Sequence, residues 1–151
     1  MTTLYDELIL DHIRQARNYR VPERVTAEIP GSNPMCGDEM MLYLDIAAGR
    51  LQDIGFQCTC CGVSMASASI MTERVKGKRV ADARALLREF TDALAGTVPA
   101  GSAVLTREQQ ALVEAARRSP SRARCAALPW DTLLKALAEP GDPASGADRA
   151  P

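Results

Sequence analysis

The chain has 151 residues, of which 46% are hydrophobic and 25% charged, so it has the apolar content for one real core and is too short for two large ones. Its 18 basic and 19 acidic side chains give a formal charge of -1, which offers no general attraction to nucleic acid. Apolar runs are short and broken by charges, and Met1 to Glu7 lacks the basic-then-apolar layout of a secretory signal, so a cytoplasmic protein with no membrane partner is expected.

From Thr3 to Gln15 the residues Leu4, Leu8, Ile9 and Ile13 recur at helical spacing, and Thr3-x-x-Asp6 supplies a capping start. The period changes to two at Arg24, where Val25, Ala27 and Ile29 alternate with polar residues until Pro30-Gly31 stops the predicted strand. A second strand is carried by Met40, Leu42, Leu44 and Ile46, and Ala48-Gly49-Arg50 turns it into a third over Leu51 to Cys60. Helical patterning returns over Val63 to Lys76, where Ala66, Ser67, Ala68 and Ser69 would let the helix approach the sheet closely, and Gly77 offers a cap. A further helix runs from Val80 to Leu94, with Leu86, Leu87, Phe90 and Leu94 on one side. Gly96 to Ser102 reads as a loop. Thr106-x-x-Gln109 resembles a capping box for a helix to about Arg117, Ser119-Pro120 marks the next start, and the last helix covers Cys125 to Ala138. The reading is α+β: a small three-stranded antiparallel sheet covered by an N-terminal helix and several C-terminal helices, one domain over residues 1–138 with a disordered tail over 139–151.

Five cysteines in a reducing compartment point to metal binding or thiol chemistry rather than a disulfide framework. Cys36 lies in the loop Asn33-Pro34-Met35-Cys36-Gly37-Asp38; Cys61 closes the third strand and opens a helix; Cys125 lies near the start of the last helix. These positions fall at element ends, where a sheet-and-helix fold brings side chains to one rim. A cysteine at a helix N-terminus also faces the positive end of the helix dipole. With Asp38, the three cysteines complete a tetrahedral set for zinc. The alternative is that they are small, inert, buried hydrophobes. C-x-x-C knuckles are absent, so a zinc ribbon is unsupported, and with His12 the only histidine a histidine-rich centre is excluded. His12 itself reads as a structural hydrogen-bonder. The methionines read as core filling, and Trp130 as an anchor for the last helix. Arg117, Arg118, Arg122 and Arg124 form a basic cluster, either a solvated face or a counter-charge to an anionic site.

Several ordered motifs then coincide: Leu4-Tyr5, Asp11-His12 and Arg17-Asn18; Asn33-Pro34-x-Cys36-Gly37-Asp38; Phe56 followed by Cys61-x-x-Ser64-x-Ala66-Ser67-Ala68-Ser69-x-Met71-Thr72; Lys76-Gly77-Lys78; and Arg122-x-Arg124-Cys125-Ala126-x-Leu128-x-Trp130. In these the chain resembles the U-type iron-sulfur cluster assembly proteins, related to the NifU N-terminal domain and closest to the SufU branch. The long segment between Gly77 and Cys125, and Arg124 where the IscU branch has histidine, favour that branch. The resemblance implies Cys36, Asp38, Cys61 and Cys125 as metal ligands and Cys36 as the sulfur-accepting thiol. It implies a zinc-bound acceptor of persulfide sulfur from a SufS-like cysteine desulfurase, at most a zinc-dependent sulfurtransferase, handing sulfur to downstream iron-sulfur assembly proteins. The alternative it allows is a scaffold for a transient iron-sulfur cluster on the same residues. A third reading is an independent thiol oxidoreductase using Cys58, Cys60 and Cys61.

Cys58 and Cys60 depart from the family pattern, which has glycine at both places. They are read as two small residues tolerated at a strand end, against an altered ligand set or a disulfide-prone pair. Pro129 also departs, and near the start of a helix it would sacrifice few backbone bonds.

Overall fold

The periodicities resolve into eight elements in a computed structural model that describes residues 4–34, 37–96 and 105–137, with side chains from residue 7 onward. Helix α1 spans Leu4–Arg14, and strands β1 (Ala27–Asn33), β2 (Asp38–Ala47) and β3 (Arg50–Thr59) follow. Then come α2 (Gly62–Val75), α3 (Val80–Ala95), α4 (Arg107–Arg118) and α5 (Pro120–Leu137). The expected disordered tail, and the expected loop beyond Gly96 as far as Ser102, lie outside the described residues.

The sheet is antiparallel in the order β1-β2-β3, with Ile29 opposite Leu42 and Leu42 opposite Phe56. Alternation sends Met40, Leu42, Leu44, Ile54 and Phe56 to the helical side, where all are buried. Ala48 and Gly49, both at positive φ, make the tight connection between β2 and β3. Both ends of β1 differ from the sequence reading: it begins at Ala27 rather than Arg24 and runs on to Asn33. Pro30-Gly31 does not end β1, because β1 is a border strand in which a missing N–H costs no ladder bond on the outer side. Gly31 instead admits Thr132 of α5, whose Oγ1 occupies the place a Cβ would take. At the other border Leu51 N donates to Lys78 O (2.9 Å), Phe56 N to Asn18 O (3.0 Å) and Cys58 N to Tyr19 Oη (3.4 Å). Gly55 allows this approach, since a Cβ there would collide with Arg20 O.

Helix α2 is the axle of the molecule. Val63, Ser64, Ala66 to Thr72 and Val75 are buried around its whole circumference, as expected of a helix with no polar face. Its small side chains admit chiefly α5 on one side and α1 on the other, rather than the sheet. α4 starts on the expected capping box, with Gln109 N donating to Thr106 Oγ1 (3.1 Å) and Thr106 N to Gln109 Oε1 (2.9 Å). α5 crosses α2, α3, α4 and β1, and its Trp130 stacks at 4.1 Å on Phe90 of α3, with both rings fully buried.

Candidate metal centre

Strand β2 begins at Asp38, α2 is capped by Cys61, and α5 passes over that end of α2 with Cys125 facing it. The carboxylate of Asp38 and the sulfurs of Cys61 and Cys125 lie within 4.8 Å of one another. Asp38 and Cys125 are buried, whereas Cys61 is exposed. Cys36, the fourth residue expected here, lies outside the described residues.

Asp38 is held by both oxygens. Cys61 N donates to Oδ1 (3.1 Å) and Ser64 Oγ lies 3.0 Å from Oδ2, so the carboxylate rests against the N-terminus of α2, where the free N–H groups and the helix dipole favour an anion. Each oxygen keeps a lone pair for another partner. Cys61 Sγ stands 4.0 Å from Asp38 Oδ2 and 3.5 Å from Ser64 Oγ.

Ser64 is the residue that sequence reasoning missed. Its hydroxyl also lies 3.1 Å from the carbonyl of Cys125, so one buried oxygen touches all three members of the trio. Cys125 O is open to it because of Pro129. The sequence marks a start at Ser119-Pro120 but places the last helix from Cys125, with Pro129 near its start; α5 runs unbroken from Pro120, so Pro129 is interior and Cys125 is not an N-terminal residue. A proline at this place has no N–H for the carbonyl four residues back, which is that of Cys125. Cys61, the N-cap of α2, therefore sits at the positive end of a helix dipole and Cys125 does not. The Cys125 thiol instead lies 3.7 Å from the carbonyl of Ser121, one turn earlier. The next hydroxyl of α2 repeats the pattern: Ser67 donates to Ala126 O and accepts from Trp130 Nε1 (2.7 Å), which fixes α5 one turn further along. The Cys61-x-x-Ser64-x-x-Ser67 spacing was the available signal, since it sets the cap and both hydroxyls on one face of a helix.

The donor set suits zinc. With zinc-sulfur bonds of about 2.3 Å, neighbouring ligands of a tetrahedral ion stand about 3.8 Å apart, so a small contraction of the trio seats one ion and leaves one corner for a further ligand. Among the described residues no histidine contributes, because His12 is buried between α1 and α2 with its Nδ1 2.7 Å from Ser69 Oγ. Arg117, Arg118, Arg122 and Arg124 are exposed on the last turn of α4 and the first turns of α5.

Cys58 and Cys60 do not join the trio. They are bonded to each other as a disulfide, so the reading of two passive small residues gives way to the disulfide-prone one. The pair is half-buried at the end of β3, one residue before Cys61.

Residues 4–139 match the model of the NifU-like N-terminal domain. The chain belongs to that family. Among its relatives is the zinc-dependent sulfurtransferase SufU of Bacillus subtilis, 33% identical over 140 residues and 92% of each chain. The iron-sulfur cluster assembly scaffold protein IscU of Thermotoga maritima is 33% identical over 135 residues, 89% of this chain and 92% of the relative. Among solved structures, SufU of Fervidobacterium islandicum superposes with a TM-score of 0.78 at 27% identity, covering 87% of this chain and 95% of the other. The NifU-like N-terminal domain of Brucella abortus, at 20% identity and a TM-score of 0.74 over 87% and 90% of the two chains, shows the shared fold. The α+β architecture with its three-stranded sheet is thus that of the NifU-like family.

Proposed function

We propose that this chain is a zinc-bound sulfur acceptor that takes persulfide sulfur from a cysteine desulfurase and passes it on for iron-sulfur cluster assembly. The observation that carries the reading is the convergence of Asp38, Cys61 and Cys125 on Ser64, three ligands from three distant parts of the chain. Cys36, Asp38, Cys61 and Cys125 would hold the ion, within one domain spanning residues 1–138. A bound zinc would keep its thiols deprotonated and, as a soft acceptor, favour sulfur over the hard carboxylate corner. Cys36 is the sulfur acceptor: it attacks the outer sulfur of the desulfurase persulfide, and the electron pair of the broken S–S bond leaves on the desulfurase cysteine. Ser64 positions the carboxylate and the Cys125 backbone during that exchange. The similarity to SufU of Bacillus subtilis, named a zinc-dependent sulfurtransferase, supports this reading.

A second reading is a scaffold for a transient iron-sulfur cluster on the same residues, supported by the equal identity to IscU of Thermotoga maritima. One carboxylate among thiolates would bind such a cluster less firmly than four cysteines, which suits release. Among the described residues no helix is long and apolar enough to cross a membrane, and the proposed setting is the cytoplasm, with a desulfurase and downstream assembly proteins as partners. The test is metal content after anaerobic purification, together with desulfurase turnover with and without the protein. Stoichiometric zinc and faster turnover are expected; iron with labile sulfide, and unchanged turnover, would replace the first reading by the second.

A further inference from the structure

The Cys58–Cys60 pair is left over once the metal trio is assembled, and stability does not account for it. A disulfide between residues two apart closes almost no loop, so it removes little freedom from the unfolded chain. Its placement is chemical. The pair ends β3 one residue before Cys61, and Cys61 N is bonded to Asp38. Cys58 lies opposite Met40 and two residues on from Phe56, so its side chain is on the helical side and packs at the edge of the core, while Cys60 lies past the last residue of β3, next to the exposed Cys61. Tyr19 steadies that strand end, its hydroxyl donating to Cys58 O (3.2 Å).

We infer that Cys58 and Cys60 form a persulfide-reducing dithiol, whose substrate class is sulfane sulfur on a thiol, R–S–SH, and whose product is hydrosulfide. The inference rests on the sulfur-handling reading above and adds to it the two electrons that turn sulfane sulfur into sulfide. In the first step Cys60, the member past the strand end and beside the exposed Cys61, attacks the outer sulfur of R–S–SH. A bond forms between Cys60 Sγ and the sulfane sulfur, the original S–S bond breaks, and its electron pair leaves with R–S, which takes up a proton. In the second step Cys58 attacks Cys60 Sγ. The Cys58–Cys60 bond forms, and the sulfane sulfur leaves with the electron pair as hydrosulfide. In sum R–S–SH and two thiols give R–SH, hydrogen sulfide and the disulfide: the two cysteines lose two electrons and two protons, and the sulfane sulfur gains them. The bonded pair seen in the structure is the product state. A cellular dithiol reductant of the thioredoxin class restores the thiols.

The test uses the full zinc-loaded chain, reduced, freed of reductant and given glutathione persulfide under anaerobic conditions. The wild type is expected to release one hydrosulfide per chain beyond the spontaneous yield, with the peptide carrying Cys58 and Cys60 becoming about 2 Da lighter. Cys58→Ser is expected to stop after the first step and keep a persulfide, about 32 Da, on Cys60. Cys58→Ser with Cys60→Ser should lower the protein-dependent sulfide yield about tenfold or more while retaining zinc. Equal sulfide from the double variant and the wild type, or sulfide release with no mass loss on that peptide, would overturn the inference. The chemical donor makes the result independent of any desulfurase. A wild type that reduces the persulfide yet leaves desulfurase turnover unchanged would refute the sulfur-acceptor reading alone.

Discussion

Two faces of α2 carry the same chemistry to different ends. On the face toward α5, Ser64 and Ser67 bond the carbonyls of Cys125 and Ala126, and Ser64 also reaches Asp38. On the face toward α1, Ser69 Oγ accepts from Arg17 N (2.8 Å) and pairs with His12, while Thr72 meets Asn18 Nδ2 (2.9 Å). All four hydroxyls are fully buried, so each bond is made in an environment where an unpaired group is costly. The first face ends on thiols and a carboxylate and forms the candidate metal site; the second ends on the imidazole of His12 and fastens the N-terminal arm. Burying polar side chains around a helix has thus let one element hold a reactive site and a structural clasp at once.

The largest expected effect is on the first face. Cys61→Ala and Cys125→Ala should each weaken zinc binding about 100-fold or more, and Asp38→Ala less, since thiolates supply most of the soft-ligand affinity. Metal analysis after dialysis against a graded chelator measures this, and full retention in both cysteine variants would remove the proposed site. Ser64→Ala is expected to cost about 10-fold to 100-fold in zinc affinity, as loss of a ligand-orienting contact does, and about 1–3 kcal/mol in stability. Adding Pro129→Ala sharpens the point. That substitution restores a backbone N–H four residues beyond Cys125 and so supplies its carbonyl with a donor. The double variant should therefore recover stability in denaturant titrations without recovering zinc affinity. Recovery of both would mean that Ser64 acts on Cys125 alone.

Most of the architecture was open to the sequence because hydrophobic period and capping chemistry agree over β2, β3, α3 and α4. Proline takes its meaning from its neighbours. Pro30-Gly31 reads as a breaker yet is tolerated because β1 is a border strand, whereas Ser119-Pro120 reads as a start and is where α5 opens, running unbroken through Cys125. At the site, the trio was named from residue types and element ends, whereas Ser64 escaped because a serine acquires its role only from what faces it. The Cys58–Cys60 bond was likewise a matter of three-dimensional placement, since spacing alone allowed a passive pair.

The second face carries the smaller effects. Ser69→Ala should destabilise the fold by about 1–3 kcal/mol, by leaving Arg17 N and His12 without a buried partner, and should leave zinc content unchanged. Zinc loss in that variant would show that the two faces are coupled. Smallest is the dependence on pH. Burial, and then the Arg17 guanidinium, lower the His12 pKa below its ordinary value, against the opposing pull of Glu73, Glu108 and Asp11. The unfolded chain therefore binds the proton more readily than the native one. Stability from this group is fully present above about pH 6.5 and is lost as pH falls through the lower native value. Denaturant midpoints should decline over that window in the wild type, and His12→Gln should flatten the decline. An equal decline in both would assign it to other groups.

The borders of the sheet bear on how such a protein survives its own chemistry. A three-stranded sheet has two rows of backbone groups that invite another chain to add a strand, and apolar strands like β2 and β3 make the product hard to reverse. Here the Asn18–Arg20 stretch and Lys78 occupy the row along β3, while Pro30 removes a donor from β1 and Thr132 lies over Gly31. In the proposed role the chain would therefore offer incoming molecules the exposed Cys61 thiol to react with, beside sheet borders that are covered along β3 and interrupted along β1.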